Sequence, residues 1–501
     1  MKYLLFPILI IYSFSVHGQT IDDALRYSFL DYGGSARTIG IGGAIGALGS
    51  DFSSLSINPG GLGNYRKSEF VISPFLNFNR AKSVVALGNE VSDSRTKFGF
   101  QNLGFIFHRK PQNAKWTSFN VGIGFNQRVN FNQKFAFEGK TIGSIADRWL
   151  ALAFDGVNPI QPDNLDNFEA GLAFETGAIY DPNSADGILE YTNDFFDSPD
   201  VLKSQTIENK GSLNELLLAL GWNYDNRISF GITAGLPILN FTQQKIYEEV
   251  DDGEGRDGNI PGFNSLRFVE NLTTSGVGFN VKAGVTIRVS QSLRVGLAAH
   301  SPMNIRPNDN FNNLLTFSFN DNNGIPVNPD VPTGSGNGVF EYRLKTPLRV
   351  LGSVAYIIKR KGFISGELEF LDYSKNAFDL TLNDNSQSTT LINETLNNQI
   401  NNDLGVALNL RVGGEYVLGK AQIRGGLGVL GSPYQADSNV NINYSLGFGY
   451  RSEGYYLDLA YRLFSYTQDY SPYNLIDDNL ETQVEVNGNS HQIVTTIGFR
   501  F

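Results

Sequence analysis

Val277-Gly-Phe-Asn-Val-Lys-Ala-Gly-Val-Thr-Ile-Arg-Val289 is the stretch that decides the fold. Val277, Phe279, Val281, Ala283, Val285, Ile287 and Val289 share one face, opposite Gly278, Asn280, Lys282, Gly284, Thr286 and Arg288. Period-two alternation is the mark of a strand with two unlike faces. The run is long enough for the ~9–11 residues with which a tilted strand crosses a bilayer. Its second face mixes glycine with charge, which suits a packed or wet lumen rather than lipid.

The same pattern recurs along the chain. Ile493, Thr495, Ile497, Phe499 and Phe501 oppose Val494, Thr496, Gly498 and Arg500. Val406, Leu408, Leu410, Val412 and Tyr416 oppose Asn409, Arg411, Gly413 and Glu415, while Tyr455, Leu457, Leu459, Tyr461 and Leu463 oppose Asp458 and Arg462. About fourteen such strands are expected, near 68–80, 98–109, 115–130, 211–223, 227–247, 268–289, 291–301, 341–358, 361–373, 405–418, 419–431, 439–450, 454–468 and 486–501. Every second connection is short, and the others are mostly longer, above all 131–210, 302–340 and 374–404. Short turns on one side and long loops on the other are the asymmetry of outer-membrane barrels. The expected fold is an all-β transmembrane antiparallel barrel of about fourteen strands, spanning 67–501.

The two ends of the chain fit that expectation. Residues 1–18 read as a secretory signal peptide, with Lys2 as the positive region, Leu4 to Val16 as the apolar run and cleavage expected before Gln19. The run is short for a membrane-spanning helix. No cysteine follows it, so a lipoprotein is not expected. Downstream no apolar run approaches a spanning helix, and the backbone can then satisfy itself in lipid only as a closed barrel.

Residues 19–66 do not read as strand. Gly33 to Gly49 is small and apolar, with glycine at very short intervals, and can pack closely on other backbone. Gly40-Ile-Gly42 lacks the βαβ context of a dinucleotide site. A compact non-strand segment ahead of the first barrel strand is expected to plug the lumen. Within the loops, 142–154 and 391–400 carry helix-like apolar spacing.

Composition excludes several function classes. The formal charge of −11 argues against a nucleic-acid partner. With no cysteine there is neither disulfide nor thiolate chemistry. His108, His300 and His491 are scattered without metal-ligand spacing, so neither metal nor cofactor is expected. No Ser/His/Asp set stands out, so no catalytic residues are assigned and the chain is not read as an enzyme.

The N-terminal run Asn58-Pro-Gly-Gly-Leu-Gly63 resembles the Asn-Pro-Ala-Gly-Leu-Ala-like hatch motif of the FadL family of outer-membrane transporters for hydrophobic compounds. Gly60 stands where that family usually has Ala. Ser292 to Pro302, Leu344-Lys-Thr-Pro-Leu-Arg349 with Tyr356 and Glu367 to Tyr373, and Arg411-Val-Gly-Gly-Glu-Tyr416 with Ile423-Arg-Gly-Gly-Leu427 and Ser432-Pro-Tyr434 resemble further family segments in the same order. The resemblance implies a fourteen-stranded barrel with an N-terminal hatch, here 19–66. It also implies passive uptake of hydrophobic small molecules such as long-chain fatty acids, with exit often through the wall at a kinked strand. Asn58, Pro59, Gly60, Gly61 and Leu62 are the expected hatch motif, with Asn58 and Pro59 as its pivot. The plainer reading of that pair is an ordinary tight turn.

Strand parity directs Arg288, Arg294, Arg349, Glu367, Arg411, Glu415, Arg424 and Arg462 inward, together with Lys282, Glu369, Asp458 and Arg500. These are candidates for lumenal ligand contacts or hatch contacts, and the plainer reading is a salt-bridge network that satisfies charge in the lumen. The expected setting is a Gram-negative outer membrane, among its lipid and lipopolysaccharide. The last strand, ending at Phe501, would address the barrel-assembly machinery. The rival reading is a barrel of the same build that docks a secretion or surface-attachment complex.

Overall fold

The computed structural model describes residues 19–85, 88–112, 115–185, 187–195, 200–253, 260, 262–320, 326–327, 332–359, 361–382, 384, 386–437, 439–475 and 481–501. The expected signal peptide lies outside these residues.

The alternating stretches close into one antiparallel barrel of fourteen strands. The first six are β1 (Glu69–Val85), β2 (Val91–Arg109), β3 (Trp116–Asn130), β4 (Asp200–Tyr224), β5 (Ile228–Val250) and β6 (Phe263–Arg288). Strand β7 has two runs, Leu293–His300 and Asn304–Asn320. Then come β8 (Arg349–Ile357), β9 (Gly362–Asp372), β10 (Val406–Leu418), β11 (Ala421–Gly431), β12 (Val440–Arg451), β13 (Tyr455–Tyr470) and β14 (Val484–Arg500). Strand β14 pairs back on β1 from Glu69↔Arg500 to Val85↔Val484, so no edge is left along that seam.

Alternation does what the sequence predicts. Phe279, Leu297, Leu368, Leu410, Leu446 and Phe448 point outward and stay half exposed, while Thr286, Ala298, Glu367, Arg411 and Asn443 point inward and are buried. An apolar belt around the whole wall is far larger than the patches soluble proteins expose, and lipid is the solvent that covers it. No helix among the described residues is long and apolar enough to cross a membrane.

Local chemistry sets the breaks. Asp225 and Asn226 take positive φ in the β4–β5 turn, as their short polar side chains allow. In β7 the ladder bulges at Ser301-Pro302, because proline has no N–H to give, and Ser301 Oγ accepts the Val281 N–H instead (2.9 Å). Strand reaches further into the segments expected as loops than alternation suggested. β4 begins at Asp200, the upper run of β7 ends at Asn320, and short strands at Gly338–Glu341 and Arg343–Lys345 pair with that run. The β4 extension mixes polar and apolar residues on each face and so lacks a clean period, whereas in β7 Leu315, Phe317 and Phe319 alternate with Thr316 and Ser318.

The N-terminal segment contributes α1 (Ile21–Ser28) and α2 (Ala36–Gly40) and is buried almost throughout. At the loop end stand α3 (Ile145–Leu152), α4 (Ala170–Thr176) and α5 (Gln387–Asp403). Helix α3 starts on a capping box, with Ser144 and Asp147 exchanging bonds. Its fully buried Trp149 meets Phe268 edge-on at 5.4 Å and centres an apolar cluster with Phe135, Phe137, Ile179 and Phe263.

Candidate functional site at the parted seam

The inward charges gather around the N-terminal segment. Gly46 N–H donates to Glu367 Oε2 (2.9 Å), and Arg411 Nη1 donates to Glu367 Oε1 (2.9 Å). Arg349 bridges Glu369 Oε1 (3.0 Å) and the Ser28 carbonyl (2.7 Å). Arg462 holds Asp31 with two bonds of 2.7 and 2.6 Å. Arg37 reaches Glu415 (3.3 Å), which also accepts from Arg424 Nε (2.7 Å), and Arg424 Nη1 continues to Asp458 (2.8 Å). Arg294 donates to the Leu48 carbonyl (3.1 Å). Tyr32 lies between the Arg411 and Arg462 guanidinium groups at 5.3 and 5.2 Å. Of the eight charges expected inside, Arg288 alone stands apart. It is exposed at the turn end, one residue past the segment's reach.

Burial would push the Asp31 carboxyl up, but the Arg462 guanidinium outweighs it and holds the group below its usual range. Arg37 is raised in the same way: burial opposes its charge, and Glu415 more than compensates.

Residues 58–63 lie close against the wall, held by side-chain-to-backbone hydrogen bonds. Asn58 Oδ1 accepts the Gly60 N–H (3.0 Å), capping the short 3-10 helix Pro59–Asn64. Asn58 Nδ2 donates to the Gly46 and Val285 carbonyls (2.7 and 3.2 Å). A Cβ on Gly60 would lie 2.8 Å from Val285 backbone, so the Gly at this position follows from the close approach of β6. Leu62 and Gly63 carbonyls accept from Asn120 and Ser118 on β3.

Sequence reasoning missed the most unusual feature. Strand β3 pairs with β2 only from Asn102↔Asn126 to Arg109↔Phe119. Above that level β2 stays on β1, as far as Ser83↔Val91. The chain after β3 breaks at Phe131 and Asn132 and resumes as Gln133–Ile142, which pairs with β4 and leans across to β13 through Gln133 and Tyr466 (2.6 Å). The wall is therefore parted above Asn102. The ion pairs Asp93–Lys134 (2.7 Å) and Arg95–Glu208 cross the gap.

Where the strands part, each carries a bulge. The extra residues are Gln101 on β2 and Arg128 on β3, and both are buried. Gln101 Oε1, both amide atoms of Asn102 and Asn126, and Arg128 Nε and Nη1 have no hydrogen-bond partner among the described residues. Gly33 of the N-terminal segment faces them, since a Cβ there would lie 3.3 Å from Gln101 Oε1 and 3.7 Å from Asn126 Oδ1. Arg128 and Lys282 share one carboxylate, Glu215, with Arg128 Nε 4.0 Å away. Glu215 could have been found by parity, as a lone acid inside Leu213-Asn-Glu-Leu-Leu217. The bulge that aims Arg128 leaves no period to read. Among the described residues no cluster of His, Asp and Glu could hold a metal ion.

No protein-family model matches the chain, and no curated protein sequence matches it. Solved structures do. A FadL homologue of Pseudomonas aeruginosa superposes with a TM-score of 0.54 at 11% identity, over 95% of this chain and 100% of that one. The Pseudomonas putida toluene transporter TodX superposes with a TM-score of 0.51 at 10% identity, over 94% of this chain and 99% of that one. The closed fourteen-stranded barrel described here thus has the fold of FadL-type outer-membrane transporters.

Proposed function

We propose that the protein is an outer-membrane transporter of the FadL type that takes up hydrophobic small molecules passively. Residues 1–18 would direct export, residues 19–66 would act as the hatch, and the strand ending at Phe501 would present the barrel to its assembly machinery. The turn end then faces the periplasm, and the loop end faces lipopolysaccharide and the medium. The observation that carries the reading is the parted β2–β3 seam, opening beside Gly33 of the hatch. A ligand reaching that level leaves sideways when the Gly33 region shifts, and needs no energy source.

The chemistry of the opening favours an amphiphile. Unpartnered amides and an under-paired Arg128 suit a carboxylate or hydroxyl head, and the apolar belt outside suits an acyl tail. A long-chain fatty acid fits both, whereas a bare hydrocarbon such as the toluene of TodX would leave the buried polar atoms unmet.

The rival reading, a docking subunit of a surface complex, draws on the folded apolar cap around Trp149 at the loop end. One experiment separates the two. The protein is purified gently from outer membranes, weighed by native mass spectrometry, and its bound lipids are extracted. A fatty acid or other amphiphile that is lost on deleting residues 19–66 supports uptake. A ligand-free barrel carrying a stoichiometric protein partner supports docking instead.

A further inference from the structure

The turn end of the barrel is basic at all of its short turns but the β12–β13 turn, which carries exposed Glu453. Lys110, Arg227, Arg288, Lys361 and Lys420 are exposed, one at each of five successive short turns, and Lys67 is exposed just before β1. Asp225 and Glu453 are the exposed acids of those turns among the described residues. None of these six cations takes part in an ion pair among the described residues. The chain as a whole carries −11, so this end departs sharply from the rest.

The ring is densest at one point. Arg288 and Arg294 are direct cross-strand partners on β6 and β7, a like-charge pairing that costs stability unless an anion offsets it. Arg227 is bonded alongside through its carbonyl, which accepts the Arg288 N–H (2.8 Å). The three guanidinium groups line a narrow cleft with Asn64, Asn226 and Thr286. No carboxylate lines it. Arg294 Nε is buried there without a partner, although Nη1 of the same side chain is used by Leu48. Arg66 adds a fourth cation, bonded to Asn226 Oδ1 at 2.8 Å.

Outward from the cleft lies an aromatic belt. Trp116 meets Tyr224 at 5.3 Å and Trp222 stacks on Phe230 at 5.4 Å, on β3, β4 and β5. Such rings mark the level of lipid headgroups. Cations at that level around most of the circumference, interrupted at the β12–β13 turn, fit a membrane surface better than a protein, which would meet one side.

We propose that Arg227 and Arg288, exposed at the mouth of this cleft beside Arg294, bind the phosphate of an anionic phospholipid in the periplasmic leaflet, and that the surrounding basic ring holds the turn end against that leaflet. The orientation rests on the outer-membrane reading above, but lipid capture is independent of which ligand is transported. An anion in the cleft would also bear on the hatch, because Asn64 and Leu48 touch it through Thr286 (3.2 Å) and Arg294.

The test uses the full-length protein in vesicles of phosphatidylethanolamine with either phosphatidylglycerol or phosphatidylcholine. Lipids retained after gentle extraction are counted by native mass spectrometry, with heat-modifiable migration as the check of folding. Wild type should retain phosphatidylglycerol over phosphatidylcholine. The double variant Arg227→Gln/Arg288→Gln should lower that preference by about fivefold for each charge removed. Arg288→Lys, which keeps the charge, should restore most of it. Equal retention of the two lipids, or no change in the double variant, overturns the proposal. Displacement of phosphatidylglycerol by inorganic phosphate at equal concentration also overturns it, by reducing the cleft to a site for free anions.

Discussion

Two seams of the same barrel are built differently. The β1–β14 seam joins the first strand to the last and pairs from Glu69↔Arg500 to Val85↔Val484. The β2–β3 seam joins neighbours in sequence, yet stops at Asn102↔Asn126. Polar groups follow suit. At the closed seam Thr496 Oγ1 accepts the Ala36 N–H of the N-terminal segment and bonds Ser73 Oγ, both at 2.7 Å. At the open seam Gln101, Asn102, Asn126 and Arg128 are buried with side-chain atoms unmet. The segment is held to the closed half by charge and hydrogen bonds, and at the open seam the Asp31 N–H donates to the Arg128 carbonyl (2.9 Å) while Gly33 faces the side chains of Gln101 and Asn126. Buried polar atoms without a hydrogen-bond partner also occur at the closed seam, at Ser83 Oγ and Gln492 Oε1, so what sets the open seam apart is that they gather at two facing bulges.

The largest expected effect comes from breaking the closed half. Arg411→Met strips Glu367 and Glu369 of their shared cation in the buried lumen. It should cost about 3–5 kcal/mol in chemical unfolding and loosen residues 28–50 in hydrogen exchange. Gly60→Ala sets a methyl 2.8 Å from Val285 backbone, which cannot give way as a side chain would. A cost of about 1–3 kcal/mol is expected, seen as earlier exposure of residues 58–64 to protease. This holds even though alanine is the usual residue in the motif it resembles.

A paired test compares the seams directly. Thr496→Val orphans the Ala36 N–H and should cost about 1 kcal/mol. Asn102→Ala at the open seam removes an amide with no hydrogen-bond partner among the described residues and should leave stability near wild type. An equal loss at both positions, by unfolding midpoint, would erase the distinction.

The smallest effect is one of pH. Asp31 titrates below the ordinary ~3.9 of a free carboxyl because Arg462 outweighs its burial. Its contribution is therefore complete above that value and is lost as pH falls through the lowered one. The protection factors at residues 29–35, which remove the intrinsic pH dependence of exchange, should stay flat from neutral pH to about pH 4, then fall. In Asp31→Asn they should be low throughout.

How much of this the sequence disclosed depends on period. Strands with unlike faces, such as β6 and β14, were legible because lipid and lumen demand different residues at alternate positions. Their outer extensions, such as Asp200 to Lys210 in β4, were not, because the buried face there mixes Lys203 and Gln205 with Val201 and Ile207. Parity placed Glu367, Arg411 and Arg462 inside the barrel, and the structure sets each beside residues 31–46. It directed Arg288 inward too, and the structure sets that residue beside Asn64 and Thr286 at the exposed turn end. The helices expected within 142–154 and near 391–400 are present as α3 and α5, since a 3.6-residue period and a serine cap are local signals. The parted seam was invisible. A bulge shifts the period by one residue, so Gln101 and Arg128 fall out of phase with the strands that carry them, and only the three-dimensional register brings them together.

The central claim is that the β2–β3 seam is the way out. Asp93 and Lys134 face each other across it at 2.7 Å. Asp93→Cys/Lys134→Cys, joined by a short bismaleimide in a chain with no other cysteine, would lock the gap. Lys82→Cys/Asn487→Cys across the closed β1–β14 seam, where those residues are register partners, is the control. Uptake of a labelled long-chain fatty acid into vesicles should fall to background when the first pair is joined and stay unchanged when the second is. Undiminished uptake through a locked β2–β3 seam would contradict the account.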